Sequence, residues 1–241
     1  MQVLDQDRTV PEYLTYLLEH PQNLKHSVLL QYTINGGISS QDREILLYWS
    51  IDLSNKLSIS IPSTILACNY IDHFLSKKPL SNTNALQFVG ITAVSLASKF
   101  RDGITITPSQ IQAVVSADIS ADDLATTEKY FLTIINWELF AVNSGDFIES
   151  ICELTIGEGS GRVAGLAYTY ALLGYCDSHF ACRGSFNTAI ASIILSINKL
   201  GYSQMKNLWI EVVRDRFQVD FESVYETIQL LESKVGKLSS R

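Results

Sequence analysis

LQFVGITAVSLASKF, residues 86–100, is apolar on almost every side until it reaches Lys99. A helix that is apolar all round is one that other helices surround. Gly90, Ala93 and Ala97 put small residues along one ridge of it, which lets its neighbours approach closely. The stretch therefore predicts a central helix of a helical bundle. It also leaves a cation, Lys99, at the end of that helix.

The pattern stays helical in both directions. Ile45, Trp49, Leu53 and Leu57 recur every four residues with Leu46 beside them, and predict one apolar face. Pro62 stands where a first-turn proline belongs, ahead of a run to Ser76. Thr107-Pro108 predicts a capped short helix through Val115, and Ser120 with Asp123 resembles a capping box. Leu124, Phe131 and Ile135 make the next stripe, and Ile104–Thr107 reads as a loop. Further helices are expected at about 146–154, 162–178, 185–200, 203–214 and 220–234. The Gly-rich IGEGSGR (156–162) fails the G-x-G-x-x-G pattern, follows no strand, and reads as a linker between helices.

A faint echo divides the chain. Tyr70-Ile-Asp-His-Phe74 precedes Lys99 much as Tyr175-Cys-Asp-Ser-His-Phe180 precedes Lys199, with 29 and 24 residues from tyrosine to lysine. Two tandem helical bundles split near residue 142 are expected.

Composition narrows the function. The 241 residues are 46% hydrophobic, enough for one large domain or two small ones. The net charge of −7 and the lack of a long Lys/Arg run argue against nucleic-acid binding, which needs a basic face. Gln2–Asp7 carries no apolar core of a signal peptide, so none is expected. The uncharged stretches Val163–Cys176 and Gly184–Asn198 fall short of the roughly 20 residues a membrane span needs. Cys68, Cys152, Cys176 and Cys182 form no Cys-x-x-Cys pair and read as reduced thiols of an intracellular protein. His20, His26, His73 and His179 have no metal-ligand spacing, and Asp122-Asp123 is accounted for by a helix dipole. Neither a catalytic constellation nor a metal site is expected, and a non-catalytic helical protein works by offering a surface to a partner.

Three stretches then line up. REILLYW (43–49), NYIDHFLS (69–76) with LQFVGITAVSLASKF, and TTEKYFLTIINWELFAVNSGDFIESI (126–151) resemble, in order and spacing, the cyclin box. Residues 10–20 resemble the helix that precedes the box, and 160–235 the second, diverged cyclin fold. NWELFAVNSGDFIES and CDSHF are closest to D-type cyclins. Unlike cellular D-types, the sequence shows no Leu-x-Cys-x-Glu motif near its start and ends at KVGKLSSR with no Pro/Ser/Thr-rich tail. In this it is similar to the D-type-like cyclins of gamma-herpesviruses. The resemblance implies an all-α protein: a lead-in helix within 1–40, a first cyclin fold over 41–141 and a second over 142–241, each with about five helices.

It also implies a function. A cyclin is a non-catalytic subunit that binds and activates a cyclin-dependent protein kinase and promotes cell-cycle progression. It needs no cofactor of its own, and it acts in nucleus and cytoplasm. In the family a lysine and a glutamate of the fifth helix hold the kinase's mobile C-helix. Here these are Lys99 and Glu128, with apolar contacts from Phe88, Leu96, Phe100, Leu132, Trp137 and Leu139, and from Val10 and Tyr13 on the leading helix. Ile45, Leu46, Trp49, Asp52 and Gln87 match the family's docking patch for Arg-x-Leu motifs of substrates and inhibitors, although Asp42 stands where mitotic-type cyclins carry methionine. Arg43 and Asp72 match a buried structural pair. The rival expectations are a tandem cyclin-fold transcription factor, a transcriptional cyclin, and a scaffold that binds no kinase.

Overall fold

The computed structural model describes residues 10–19, 38–80, 84–115, 118–177 and 184–239. Among them every regular element is helical. The residues divide into two compact units, one within 24–141 and the other combining those of 1–23 with 142–241.

The first unit holds helices α2 (Ser40–Lys56), α3 (Ile61–Lys77), α4 (Asn84–Ala97), α5 (Pro108–Val114) and α6 (Ala121–Ile134). Side-chain caps start four of them: Ser39 accepts from the Asp42 amide, Ser60 from Ser63, Thr107 from Gln110 and Ser120 from Asp123. In α2, α5 and α6 the third helical residue bonds back to close a capping box. Asp42 is therefore spent on its own helix start, with its carboxylate 2.7 Å from the Ser39 hydroxyl.

Helix α4 packs against α2, α3 and α6, as its all-round apolar sequence predicts. Gly90 is where α2 comes closest, since a Cβ there would lie 2.8 Å from both Ser50 Oγ and Trp49 Cζ3. Phe74 of α3 and Phe131 of α6 stack with ring centroids 4.7 Å apart. Leu124, Phe131 and Ile135 are buried, as their spacing predicts.

The expected face of α2 is corrected. Ile45 is 60% exposed, and the buried positions are Arg43, Leu46, Leu47, Ser50, Leu53 and Ser54. The true inward stripe is displaced by one residue because three of its members are polar. Serines fit where helices approach closely, and Arg43 is neutralised by Asp72 of α3, with Nε–Oδ1 at 2.7 Å and Nη2–Oδ2 at 2.8 Å. A hydropathy pattern cannot see a core position held by a paired charge.

The second unit holds α1 (Glu12–Glu19), α7 (Ser144–Thr155), α8 (Ser160–Tyr175), α9 (Ser185–Lys199), α10 (Ser203–Phe217) and α11 (Phe221–Ser239). Helix α9 is its centre and packs on α7, α8, α10 and α11. Trp209 is fully buried and donates its indole N–H to Thr155 Oγ1 at 2.9 Å. Leu14 of α1 is also fully buried, and Tyr13 shares a hydrogen bond with Ser150 of α7. The Gly-rich linker is shorter than its sequence suggests. Gly159, at φ 97°, is already the N-cap of α8, so Ser160–Arg162 are helical.

Cys68, Cys152 and Cys176 are buried thiols outside any disulfide. Burial, aided by Glu149 and Glu153, holds the Cys152 thiol well above its usual titration range. Cys182, and most of the CDSHF stretch, lie outside the described residues, as do His20, His26 and His179. No described helix is long and apolar enough to cross a membrane.

Candidate functional site: a buried-edge ion pair and its apolar surround

The α-helical turn of α4 widens at its end into a π-turn, Ser98–Asp102, closed by Gly103 in the left-handed region at φ 66°. Ser98 donates its hydroxyl to the Ile104 carbonyl at 2.9 Å, and Asp102 accepts the Ser60 hydroxyl at 2.8 Å. These bonds tie the turn down on both sides. Lys99 sits inside it.

The side chain of Lys99 does not swing out freely, as a helix-terminal lysine could. Its Nζ lies 2.7 Å from both carboxylate oxygens of Glu128 on α6. Glu128 follows Leu124 and precedes Leu132 by one turn, so it rides the edge of the buried stripe of α6. Its side chain is 14% exposed and that of Lys99 33%. A third residue completes the group: Ser95, fully buried one turn before Lys99, donates its hydroxyl to Glu128 Oε1 at 2.7 Å. Ser95 was missed in the sequence. Its position four residues before Lys99 on the same helix face is the signal that could have found it.

The apolar residues expected around this pair divide by exposure. Phe88 is 44% exposed, Phe100 49% and Trp137 63%, large values for aromatic rings. Leu132 and Leu139 are half-buried. Leu96 is mostly buried, at 7% exposure. Phe140, at 57%, is an exposed ring that sequence reasoning left out. Val10 is half-buried and Tyr13 exposed, and both belong to the other unit.

Trp137 is held out by an unusual turn. Asn136 and Trp137 both have positive φ, 55° and 60°, a conformation that costs about 1–2 kcal/mol per L-residue. The Trp137 amide donates to the Leu132 carbonyl at 2.9 Å, and Tyr70 of α3 donates its phenol to the Leu139 carbonyl at 2.6 Å. Burial raises the Tyr70 phenol far above its usual range, so it remains a donor. His73, one turn on, lies 3.5 Å from Glu138. Burial lowers its imidazole below the ordinary 6.5 despite that carboxylate, with Lys77 acting in the same sense as burial.

The second patch is a separate hollow lined by Trp49, Asp52, Leu53, Lys56, Gln87, Val114 and Val115. Trp49, Asp52 and Gln87 are thus brought together. Ile45 is exposed but does not line the hollow, and Leu46 is buried at 4% exposure. Asp52 is paired with Lys56 at 2.7 Å, with both side chains more than half exposed.

The central helix of this bundle thus ends on a cation paired to Glu128 of α6, and the same unit leaves several aromatic rings exposed. Residues 12–140 match the family model of the cyclin N-terminal domain, and the chain belongs to the cyclin family. Curated relatives of the chain include D-type cyclins. The chain is 28% identical over 199 residues to the G1/S-specific cyclin-D1 of Xenopus laevis, covering 82% of this chain and 68% of that one. It is 27% identical over 160 residues to that of Danio rerio, covering 66% of this chain and 55% of the relative. The matched part therefore spans between about half and two-thirds of these relatives' length. Among solved structures, a viral cyclin from herpesvirus saimiri superposes with a TM-score of 0.75 at 21% identity, covering 91% of this chain and 96% of that one. The chain has the tandem cyclin fold.

Proposed function

We propose that this chain is the regulatory subunit of a cyclin-dependent protein kinase, a D-type-like cyclin that promotes cell-cycle progression in nucleus and cytoplasm. The observation that carries the proposal is the part-exposed Lys99–Glu128 pair, in a unit that also leaves the Phe88, Phe100 and Trp137 rings exposed. A protein kinase is active only when its C-helix glutamate meets the β3 lysine and its activation loop is ordered. A subunit that binds that arrangement more tightly than the inactive one shifts the population and performs no chemistry itself. Lys99 has three N–H donors and Glu128 directs two to itself, which leaves one for a backbone carbonyl of the partner. Glu128 Oε2 keeps acceptor capacity for a partner N–H. Phe88, Phe100 and Trp137 supply area, and aromatic anchors dominate such interfaces.

Under the same reading the hollow beside Trp49 receives an Arg-x-Leu segment of substrates or inhibitors. Asp52 would take the arginine. Displacing Lys56 is cheap, since an exposed pair is worth about 0–1 kcal/mol.

The test is reconstitution. The purified chain is mixed with each of several monomeric cyclin-dependent kinases. Complex formation is measured, along with phosphate transfer to a histone and to a retinoblastoma-type substrate. Stable binding and activation of at least one kinase is expected. Binding to none would refute the assignment.

A further inference from the structure

Of the three groups that meet at the end of α4, two are charged and reach the surface. The third, Ser95, is neutral and has no exposed area. It lies under the pair and cannot touch a partner. What it can do is decide where the Glu128 carboxylate stands. We infer that Ser95 is the positioning residue of the Lys99–Glu128 contact, an inference that rests on the kinase-binding reading of that pair.

The geometry is specific about how. Ser95 Oγ and Lys99 Nζ both lie 2.7 Å from Oε1, while Oε2 receives Lys99 alone at 2.7 Å. A carboxylate oxygen accepts about two hydrogen bonds. Oε1 is therefore saturated from within the chain, and the vacant acceptor site is on Oε2. A carboxylate held by lysine alone can rotate about its last bond and exchange its oxygens, because Lys99 sits on a flexible four-carbon stem. The serine breaks that equivalence. Its own place is fixed, since Ser95 lies within α4, between the buried residues Val94 and Leu96. A bond from a neutral donor to a charged acceptor is among the stronger ones, and a pair fixed before the partner arrives avoids an ordering cost on binding.

This makes the pair a unit. It meets the partner with one open donor on Lys99 and one open acceptor on Oε2, in a fixed relation. The partner chemistry that fits is a backbone carbonyl and a backbone N–H presented side by side, as the end of a helix or the turn that leads into one offers them.

The experiment is a double-mutant cycle on the full chain with the kinase captured in the reconstitution. Dissociation constants are measured for wild type, Ser95→Ala, Glu128→Ala and the double variant. Ser→Ala inside a helix removes one oxygen and raises helix propensity, and a thermal melt of each free variant checks that it folds. Ser95→Ala is expected to weaken the complex about tenfold in the wild-type background and less than twofold in the Glu128→Ala background, because the serine acts only through that carboxylate. Equal weakening in both backgrounds would make Ser95 a general structural residue and overturn the inference. So would no weakening in wild type while Glu128→Ala alone weakens binding, an outcome that leaves the kinase-binding reading intact. If Glu128→Ala itself has no effect, the clamp reading falls and this inference falls with it.

Discussion

Tyr70 and Leu139 are joined by a 2.6 Å hydrogen bond from a buried phenol to a backbone carbonyl, and that bond closes the turn in which Asn136 and Trp137 both carry positive φ. The strain of the turn has to be offset by what surrounds it. Tyr70 belongs to α3 and reaches across to the turn, and so couples the core of the bundle to the exposed Trp137 ring. Tyr70→Phe keeps the ring and removes the bond. The unfolding free energy should fall by about 1–2 kcal/mol in urea titrations, since a buried carbonyl loses its partner. An unchanged midpoint would mean that the turn holds itself.

The buried Arg43–Asp72 pair makes a sharper claim about stability. Asp72→Ala removes the carboxylate that balances the charge of a guanidinium 1% exposed, and should cost about 3–5 kcal/mol. Replacing both, as Arg43→Met with Asp72→Leu, should recover much of that loss, because no buried charge is left behind. Chemical denaturation of the three variants measures this. A double variant no better than Asp72→Ala would show that the pair's hydrogen-bond geometry, and not its charge balance, holds α2 on α3.

His73 sets a pH dependence. Its imidazole is pushed below 6.5 chiefly by burial, with Lys77 in the same direction and Glu138 opposed. The unfolded chain thus takes up this proton more readily than the folded one. The stability concerned is complete above about pH 6.5 and is lost as the pH falls through the lowered folded value. Melting temperature should drop more steeply between about pH 7 and pH 5 in wild type than in His73→Gln. Parallel profiles would remove His73 from the account.

Gly90 links packing to the second patch. Its absent Cβ leaves room for the Trp49 ring and the Ser50 hydroxyl, each 2.8 Å from where that carbon would stand. Gly90→Ala should destabilise the chain by about 1–3 kcal/mol through overpacking. It should also shift tryptophan emission as Trp49 is displaced. Native stability together with native emission would show that α2 can back away at little cost.

Much of this was legible in the sequence because caps and periodicity are local. Thr107 and Ser120 cap helices as their motifs predict, Pro62 stands in the first turn of α3, and the small-residue ridge of α4 meets α2 at Gly90. The inward face of α2 was misread for the opposite reason. Arg43, Ser50 and Ser54 are core residues only because of what faces them from other helices, and no hydropathy pattern carries that. Family motifs mark Leu96 and Leu46 by helix face, while their depth within that face, 7% and 4% exposed, depends on neighbours. The site shows the same division. Lys99 and Glu128 could be named from motifs, but their mutual 2.7 Å contacts, and the serine beneath them, depend on how α4 meets α6.

The central claim is that the Lys99–Glu128 pair faces a kinase, and the pair's own geometry supplies a clean test. Lys99→Glu together with Glu128→Lys keeps two opposite charges within reach of each other, so the fold should survive, while the polarity presented to a partner is inverted. The measurement is kinase affinity of this exchanged variant beside wild type, with thermal melts of both. The account predicts a native-like melt and a complex weakened by about a hundredfold, in the range for mismatched buried charge at an interface. A native-like melt with wild-type affinity would contradict it.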